Sequence, residues 1–223
     1  MLDRLLPAAA VCREAFDDAE AAPLFPEEER AVGAAVDKRR REYATVRRCA
    51  REALAALGLP PGPVLSGPKR EPLWPDGVVG SLTHCAGYRA AALARARDLA
   101  SIGVDAEPNE PLPDGVLASI ALPEELAQTA ELAAAGGAVC WDRLLFSAKE
   151  SIYKAWYPLA RRWLGFEEAR VTVDPDAGTF TAALLVAGPV LADGAPLAGF
   201  SGRWLVDRGL VVTAIAVPAV PTA

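Results

Sequence analysis

The sequence has little that could build a zinc site. It contains one histidine, His84, and four cysteines that are scattered along 223 residues with no C-x-x-C pair. Structural zinc sites need closely spaced cysteine and histidine ligands, so this composition argues against a zinc protein. The first residues carry an early acid and only a short apolar stretch before Arg13, which is not the pattern of a secretory signal. We therefore expect a cytoplasmic protein with reduced thiols.

Long apolar runs and an excess of positive charge are also missing. No segment approaches the roughly 20 consecutive apolar residues that a membrane-spanning helix requires, so no membrane association is expected. The formal net charge is −6, which argues against binding nucleic acid through general attraction to phosphate. Local basic patches are still compatible with this overall charge.

What the sequence does have is the composition of a globular protein. Hydrophobic residues make up 52% and charged residues 23%, which is typical of a folded rather than a disordered chain. A chain of this length forms one large domain or two small, closely joined ones, and it buries roughly 70% of its unfolded surface. A core of that size needs no disulfide or metal for its stability.

Apolar periodicity and turn residues predict helices together with antiparallel strands. Helices are predicted over 26–57 with a break near Gly33, over 123–135, and over 141–157 with Pro158 beyond the end. Strands are predicted over 78–84, 88–93, 101–107, 171–173, 180–186, 204–206 and 210–217. Residues 1–25 are interpreted as irregular structure or short helix. Because no βαβ alternation occurs, the predicted fold class is α+β.

Two carboxylates lie close together in one predicted strand. Asp105 and Glu107 are two residues apart, so extended backbone places them on the same face, roughly 6.5–7 Å apart along the strand. Two anions there repel each other unless a cation lies between them, and oxygen ligands suit Mg²⁺ or a similar hard ion such as Mn²⁺. Glu150, in a later helix, supplies a third acid. Lys154 shares its helix face, so the two could meet one ligand or form only a salt bridge.

Basic residues cluster on the first long helix. Arg40, Arg47 and Arg51 recur at steps of seven and four residues, so they share one face that could hold a phosphate or could simply face water. A nucleic-acid-binding module that uses these arginines is one alternative function. It predicts affinity that falls steeply with salt, and it leaves the three carboxylates without a role.

Further polar side chains lie in the loop and turn that follow. The segment 58–77 is rich in proline and glycine and is interpreted as a surface loop, in which Lys69 could reach a ligand. Ser81 and His84 lie near a Gly-Ser turn, where both can donate to a phosphate oxygen. A lone histidine is more often a structural residue than a ligand.

Three segments, in order, resemble the signatures of 4′-phosphopantetheinyl transferases. They are residues 80–85 (GSLTHC), 102–107 (IGVDAE) and 146–151 (FSAKES). The sequences at 74–77 (WPDG) and 162–167 (RWLGFE) are similar to those of the enterobactin-synthetase branch of the surfactin-type group of this family. The similarity runs from about residue 39 to the C-terminus.

The resemblance implies both a fold and a reaction. The fold is α+β, with two similar halves, 1–108 and 109–223, related by a pseudo-twofold axis and with coenzyme A bound in the cleft between them. The reaction is Mg²⁺-dependent transfer of the 4′-phosphopantetheine arm from coenzyme A to a serine of an apo acyl or peptidyl carrier protein, releasing adenosine 3′,5′-bisphosphate. A monomer is expected. The carrier protein would dock beside the cleft, where the candidates are Tyr153, Trp156, Tyr157 and 161–163.

The same resemblance implies roles for residues at matching positions. The expected metal ligands are Asp105, Glu107 and Glu150. The residues expected to bind coenzyme A are Arg39, Arg47 and His84 at the 3′-phosphate, Ser81, Lys149 and Lys154 at the pyrophosphate, and Lys69 in the nucleotide-side loop. The expected catalytic residues are Glu150, Lys154 and Lys149, with Glu150 removing the serine proton directly or through a water.

Two positions depart from the family pattern. Ser66 stands where some relatives have a lysine, so Lys69 or Arg70 would supply that phosphate contact. Ala106 stands where some relatives have a further acid or a glutamine, and it offers only its backbone carbonyl. A metal-dependent phosphodiesterase or nuclease is the alternative enzyme class, because Asp-x-Glu with a remote Glu-Lys also suits phosphate hydrolysis.

Overall fold

Two helices of 20 residues each, α2 (Asp37–Ala56) and α5 (Trp141–Ala160), lie against two antiparallel sheets in a computed structural model. The structure describes residues 1–20, 22–192 and 194–219. The shorter helices are α1 (Pro26–Val32), α3 (Val116–Ile120) and α4 (Pro123–Ala134). Within these ranges, no helix is long and apolar enough to cross a membrane.

The two sheets are ordered β1-β3-β2 and β4-β8-β7-β6-β5. The strands of the first sheet are β1 (Val11–Ala15), β2 (Val78–Cys85) and β3 (Tyr88–Arg95). Those of the second are β4 (Leu99–Pro108), β5 (Ala169–Asp174), β6 (Thr179–Leu184), β7 (Gly199–Asp207) and β8 (Leu210–Pro218). The predicted α+β class is confirmed.

Most elements lie where the periodicity predicted them, with three differences. Residues 1–25 contain β1, and α3 has no counterpart in the prediction. Helix α5 also continues through Pro158 to Ala160 instead of ending before the proline. The proline removes only one backbone donor, and it does so close to the end of the helix. Arg161, three residues later, already has a left-handed conformation with φ 53°. The predicted break near Gly33 is present between α1 and α2.

Side-chain hydroxyl groups join the two sheets where β2 runs beside β4. The Ser81 Oγ accepts a hydrogen bond from the Val104 backbone N–H at 3.1 Å, and the Thr83 Oγ1 accepts one from the Ala106 N–H at 3.1 Å. These hydroxyls replace the backbone partners that β4 would have in a continuous sheet. The strand that carries Asp105 is therefore held from both sides, by β2 and by β8.

Strand β4 pairs with β8, from Leu99↔Pro218 to Pro108↔Leu210. Hydrogen bonding thus groups β4 with the later part of the chain, although the sequence-based division places it at the end of the first half, 1–108. The orders β1-β3-β2 and β4-β8-β7 repeat one arrangement, in which the first strand of a group pairs with its last. The pseudo-twofold relation and the division at residue 108 stay predictions, and residues 220–223 lie outside the described chain.

Gly103 sets the distance between β4 and α5. A Cβ at this position would overlap the carbonyl oxygen of Ser151 and would lie 2.8 Å from the backbone nitrogen of Ala155. The Ser101 Oγ donates a hydrogen bond to the Ala155 carbonyl at 2.7 Å, one step along the same strand face. Helix α5 consequently lies directly on the strand, which brings Glu150 and Lys154 next to Asp105.

We expect Gly103→Ala to destabilise the protein by about 3 kcal/mol, because the added methyl group meets backbone atoms that cannot rotate away. The melting temperature measured by circular dichroism tests this. Gly62→Ala is the matched control, since nothing lies within 4 Å of a Cβ at Gly62. Equal melting temperatures for the two variants would contradict the close contact described above.

Candidate active site

A cleft of about 730 Å³ lies between the N-terminal part of α2, the loop before β2, β2 itself and the outer face of α5. Eight of the ten sequence-predicted site residues line it: Arg39, Arg47, Lys69, Ser81, His84, Asp105, Glu150 and Lys154. The other two, Glu107 and Lys149, have their charged groups in ion pairs described below. Residues far apart in sequence thus form one site with a cationic wall and a carboxylate wall.

Arg47 anchors the cationic wall and is held from three directions. Its Nε donates to the Val64 carbonyl at 3.0 Å, its Nη2 donates to the Ser66 Oγ at 3.2 Å, and its guanidinium lies 3.7 Å from the ring centroid of Tyr43. The side chain is almost fully buried. A guanidinium that is already oriented loses little freedom when it binds an anion.

His84 is next to Arg39 at the mouth of the same wall. Arg39 donates a short hydrogen bond to the His84 Nε2, so the neutral ring carries its proton on Nδ1. Burial lowers the pKa of His84 below its ordinary value of 6.5, and the Arg39 charge lowers it further. The imidazole is therefore neutral at pH 7, and an anion bound between the two groups would favour its protonation.

Asp105 and Lys154 form the centre of the opposite wall. The Lys154 Nζ donates to the Asp105 Oδ1 at 2.7 Å and to the Val104 carbonyl at 3.1 Å. The other carboxylate oxygen, Asp105 Oδ2, is buried without a hydrogen-bond partner. Burial raises the pKa of Glu150, and the nearby Asp105 charge raises it further. Two carboxylates thus lie close to each other with one ammonium group between the strand and the helix.

This arrangement fits a hard divalent cation in part. The partnerless oxygen of Asp105 and the neighbouring Glu150 are oxygen donors of the kind that Mg²⁺ and Mn²⁺ prefer. In the described ranges, however, no three His, Cys, Asp or Glu side chains are grouped closely enough to hold a metal ion. The Glu107 Oε2 accepts from the Arg143 Nη1 at 3.1 Å, and the nearby Asp105 charge contributes to the raised pKa of Glu107. The three-acid metal site stays a prediction.

Lys149 does not line the cleft, and its charge is paired within the fold. Its Nζ forms an ion pair with Glu125 at 2.9 Å and donates to the carbonyls of Phe166 at 2.7 Å and Ala169 at 2.9 Å. Residue 149 is rotated about 100° from residue 150 on the helix, so Lys149 lines the apolar groove that begins at Glu150 together with Phe166 and Ala169, and it does not line the cleft itself. The Lys149 ammonium is thus occupied by these three partners, and its contact with a pyrophosphate stays a prediction.

Ser81 is also tied into the fold. It lines the cleft, but only 3% of the residue is exposed, and its Oγ already accepts the backbone N–H of Val104. Its hydroxyl hydrogen is the part that a ligand in the cleft could receive. A direct contact with pyrophosphate stays a prediction.

A small apolar groove of about 100 Å³ continues from Glu150 along the next part of the chain. It is lined chiefly by aromatic and aliphatic side chains: Ile152, Tyr153, Trp163, Leu164 and Phe166. The Tyr153 hydroxyl is buried without a hydrogen-bond partner, and Trp163 packs on the Tyr153 ring while 61% of the tryptophan is exposed. Trp156, by contrast, is fully buried and belongs to the core, which agrees with the structural alternative for that residue.

Tyr43 and Ser66 were not predicted as site residues. Tyr43 supports the Arg47 guanidinium, and its hydroxyl is buried without a partner, while Ser66 accepts from Arg47. The only sequence signal for Tyr43 was its position four residues before Arg47 on one helix face. Ser66 was noted only as a departure from the family pattern, and its contact with Arg47 depends on how the loop folds back onto α2.

The arginine face of α2 is largely neutralised by acids. Arg40 pairs with Glu29 at 2.6 Å and Arg51 pairs with Glu28 at 3.0 Å. These two side chains therefore do not form a free cationic stripe with Arg47. This pairing removes the feature on which the nucleic-acid-binding alternative depended.

Comparison with known proteins gives the family directly. The 4′-phosphopantetheinyl transferase N-terminal domain matches residues 27–94, and the 4′-phosphopantetheinyl transferase superfamily matches residues 101–195. The chain belongs to the 4′-phosphopantetheinyl transferase family and is an enzyme of this class.

Individual relatives agree with this assignment. The chain is 62% identical over 222 residues to 4′-phosphopantetheinyl transferase Svp of Streptomyces mobaraensis, which covers 98% of this chain and 90% of that protein. It is 51% identical over 206 residues to 4′-phosphopantetheinyl transferase PptT of Mycobacterium tuberculosis, covering 91% and 89%. A more distant relative is enterobactin synthase component D of Salmonella typhi, 35% identical over 149 residues, covering 60% and 55%.

His84 offers a direct test of the cationic wall, because it is the only histidine and its NMR titration is unambiguous. We expect a pKa below 6.5 in the free protein, raised toward that value by Arg39→Ala and lowered further by Glu42→Gln, because the Glu42 charge acts in the opposite direction. The unfolded chain binds this proton more readily, so the free energy of unfolding should fall as the pH drops below about 6.5. A pKa unchanged by Arg39→Ala would contradict the contact.

Proposed function

We propose that the protein transfers the 4′-phosphopantetheine arm of coenzyme A to a serine of an apo acyl or peptidyl carrier protein and releases adenosine 3′,5′-bisphosphate. The observation that carries this proposal is the single cleft in which Arg39, Arg47 and His84 face Asp105, Glu150 and Lys154. One wall suits a nucleotide phosphate and the other suits a reacting diphosphate. Coenzyme A carries a phosphate on the 3′ position of its adenosine and a diphosphate on the 5′ position, so it can contact both walls at once.

The orientation of coenzyme A follows from the two walls. Its 3′-phosphate would bind at Arg39, Arg47 and His84, and Lys69 from the loop would add a further positive charge on the nucleotide side. Its diphosphate would then lie near Lys154. Such charge-assisted contacts fix the phosphorus atom with respect to Glu150, which is the positioning that phosphoryl-type transfer mainly requires.

The chemistry needs an acceptor for one proton and a stabilised leaving group. The serine Oγ forms a bond to the β-phosphorus while the bond from that phosphorus to the bridging oxygen breaks. Glu150 takes the serine proton, directly or through a water, and its raised pKa makes its carboxylate a stronger base. The Lys154 ammonium stabilises charge that grows on the leaving oxygen.

Asp105 and Glu150 would hold a divalent ion, Mg²⁺ or Mn²⁺, and Glu107 would join them if its side chain turned from Arg143. When bound, the ion would neutralise the diphosphate charge and orient the leaving phosphate. The Lys154 ammonium lies 2.7 Å from the Asp105 carboxylate, so this ion pair fixes a positive charge beside the strand. Removal of divalent ions with a chelator should abolish transfer, and added Mg²⁺ or Mn²⁺ should restore it.

The pantetheine arm and the carrier protein have neighbouring candidate surfaces. The apolar groove beside Glu150 would accommodate the uncharged arm, with the Tyr153 hydroxyl free to bind one of its amides. The exposed face of Trp163, together with Tyr157 and the basic pair 161–162, would receive an acidic carrier helix. A monomeric state and a cytoplasmic location remain predictions from the sequence.

The decisive experiment is incubation of the protein with coenzyme A and a panel of apo carrier proteins, followed by mass spectrometry. We expect a mass gain of one phosphopantetheine on at least one carrier, and adenosine bisphosphate formed only when a carrier is present. Release of adenosine bisphosphate without a carrier would instead favour the phosphodiesterase alternative.

We expect Asp105→Ala and Glu150→Ala each to abolish transfer without unfolding the protein, because both residues line the cleft and neither belongs to a hydrophobic core cluster. For Glu150, loss of the base alone corresponds to about 10²–10⁴-fold in rate. Circular dichroism checks the fold, and the carrier assay measures the rate. Normal turnover by either folded variant would overturn the assignment of the carboxylate wall.

We expect Arg39→Ala to raise the KM for coenzyme A by about 10-fold, since a charge-assisted hydrogen bond to phosphate is worth about 1.5–3 kcal/mol. The KM for 3′-dephospho-coenzyme A should stay unchanged, because that substrate lacks the group that Arg39 would bind. Arg30→Ala is the control on an exposed neighbouring helix. An equal effect of Arg39→Ala on both substrates would place the 3′-phosphate elsewhere.

A further inference from the structure

Two fully buried glutamates lie outside the cleft and have no part in the chemistry described above. Glu28 in α1 is 0% exposed and Glu125 in α4 is 1% exposed. A buried carboxylate destabilises the fold unless it is ion-paired and hydrogen-bonded, so each of these glutamates needs such partners. The two glutamates have partners of the same kinds at equivalent positions.

Both glutamates end the same short sequence, an apolar residue followed by Pro-Glu-Glu. Glu28 follows Phe25 and Pro26, and Glu125 follows Leu122 and Pro123. The proline is the first residue of each helix, and the glutamate reaches back to accept the backbone N–H at the start. These distances are 3.0 Å to the Phe25 nitrogen and 2.7 Å to the Leu122 nitrogen.

Each glutamate also binds a cation on the neighbouring long helix. Glu28 pairs with Arg51 of α2 at 3.0 Å, and Glu125 pairs with Lys149 of α5 at 2.9 Å. The second oxygen in each case accepts a backbone N–H from the segment that follows that long helix, at 2.9 Å from Val64 and 2.6 Å from Val171. One carboxylate therefore ties together a short helix, a long helix and the chain beyond it.

The cations in these contacts are neighbours of the residues that face the cleft. Arg51 lies one helical turn after Arg47, and Lys149 directly precedes Glu150. Val64 is shared more directly, because its N–H binds Glu28 while its carbonyl binds the Arg47 Nε. Lys149 likewise fixes the carbonyls of Phe166 and Ala169, which line the apolar groove beside Glu150.

We propose that Glu28 and Glu125 are equivalent positioning residues: Glu125, through Lys149, sets the rotation of α5 that presents Glu150, and Glu28, through Arg51 and Val64, sets the place of Arg47. The proposal rests on the function proposed above. It also gives Lys149 a role through Glu125 in place of direct contact with pyrophosphate. The two halves of the chain thus use one device for two tasks, reaction in one half and nucleotide binding in the other.

The experiment uses Glu→Gln substitutions in the full-length protein, because glutamine keeps the shape and removes the charge of the ion pair. Its single amide oxygen can accept from only one of the two backbone N–H groups, so circular dichroism checks the fold of each variant. Glu125→Gln should lower kcat by about 10–100-fold with the KM for coenzyme A unchanged, since small displacements of a catalytic group have effects of this size. Glu28→Gln should do the opposite, raising the KM for coenzyme A by about 10-fold with kcat unchanged. Each variant is the matched control for the other.

A double-mutant cycle separates the two possible roles of Lys149. If Lys149 acts through Glu125, then Glu125→Gln, Lys149→Met and the double variant should share one reduced kcat, because each breaks the same pair. If Lys149 binds the pyrophosphate itself, Glu125→Gln should keep a normal kcat, or the two losses should multiply. Either of those results overturns the proposal.

General loss of folding has a different signature. It would reduce the active fraction and change kcat similarly for Glu28→Gln and Glu125→Gln, which also overturns the proposal. If Glu125→Gln fails to fold, the double variant, which has no unpaired buried charge, is compared with the wild type: a lower kcat with an unchanged KM for coenzyme A supports the proposal, and a raised KM, as expected for a lost pyrophosphate contact, overturns it.

Failure of the proposed function is distinguishable from failure of this inference. If the wild-type protein modifies no carrier, calorimetric binding of adenosine 3′,5′-bisphosphate still tests the nucleotide half. There Glu28→Gln should weaken binding about 10-fold and Glu125→Gln should leave it unchanged. Equal affinities for both variants would overturn the inference.

Discussion

The contact between α5 and β4 at Gly103 is the constraint on which the site depends. Because no side chain separates them, the helix lies on the strand closely enough for Lys154 to reach Asp105. The Ser101 Oγ of β4 donates to the Ala155 carbonyl of α5, and the Ser147 hydroxyl of α5 forms a hydrogen bond with Thr213 of the neighbouring strand β8. A larger residue at 103 would move the helix as a whole, and with it Glu150 and Lys154, which lie next to Asp105.

Charge pairing explains how an acidic chain presents a cationic wall. Most arginines of α2 are neutralised by neighbouring acids, as Arg40 is by Glu29 and Arg48 is by Glu52. Arg47 differs, because its partners are a carbonyl, a hydroxyl and an aromatic ring, none of which cancels its charge. The protein thereby directs net positive charge to one place while the overall charge stays at −6.

The prediction from sequence reached the elements and most of the site but missed features that depend on distant partners. The long helices and most strands follow from periodicity, whereas β1 is too short and irregular in pattern to be distinguished from a loop. The repeat of Pro-Glu-Glu at 26–28 and 123–125 is visible in the sequence, yet a repeat of three residues carries little weight until the buried contacts are seen. Lys149 was assigned by resemblance to the cleft, and only the packing of α4 against α5 shows that its ammonium is paired with Glu125.

The sequence by itself determined the fold class, the acids of β4 and α5, the basic helix and the family, because these depend on local periodicity, on short spacings and on ordered motifs. The tertiary structure alone decided which charges remain available. Whether an arginine, lysine or glutamate faces a ligand or is neutralised depends on the neighbour that long-range packing places beside it, as Arg51 and Lys149 do with Glu28 and Glu125. Residues that are adjacent on one helix can thus have different roles, since their side chains point about 100° apart and meet different neighbours.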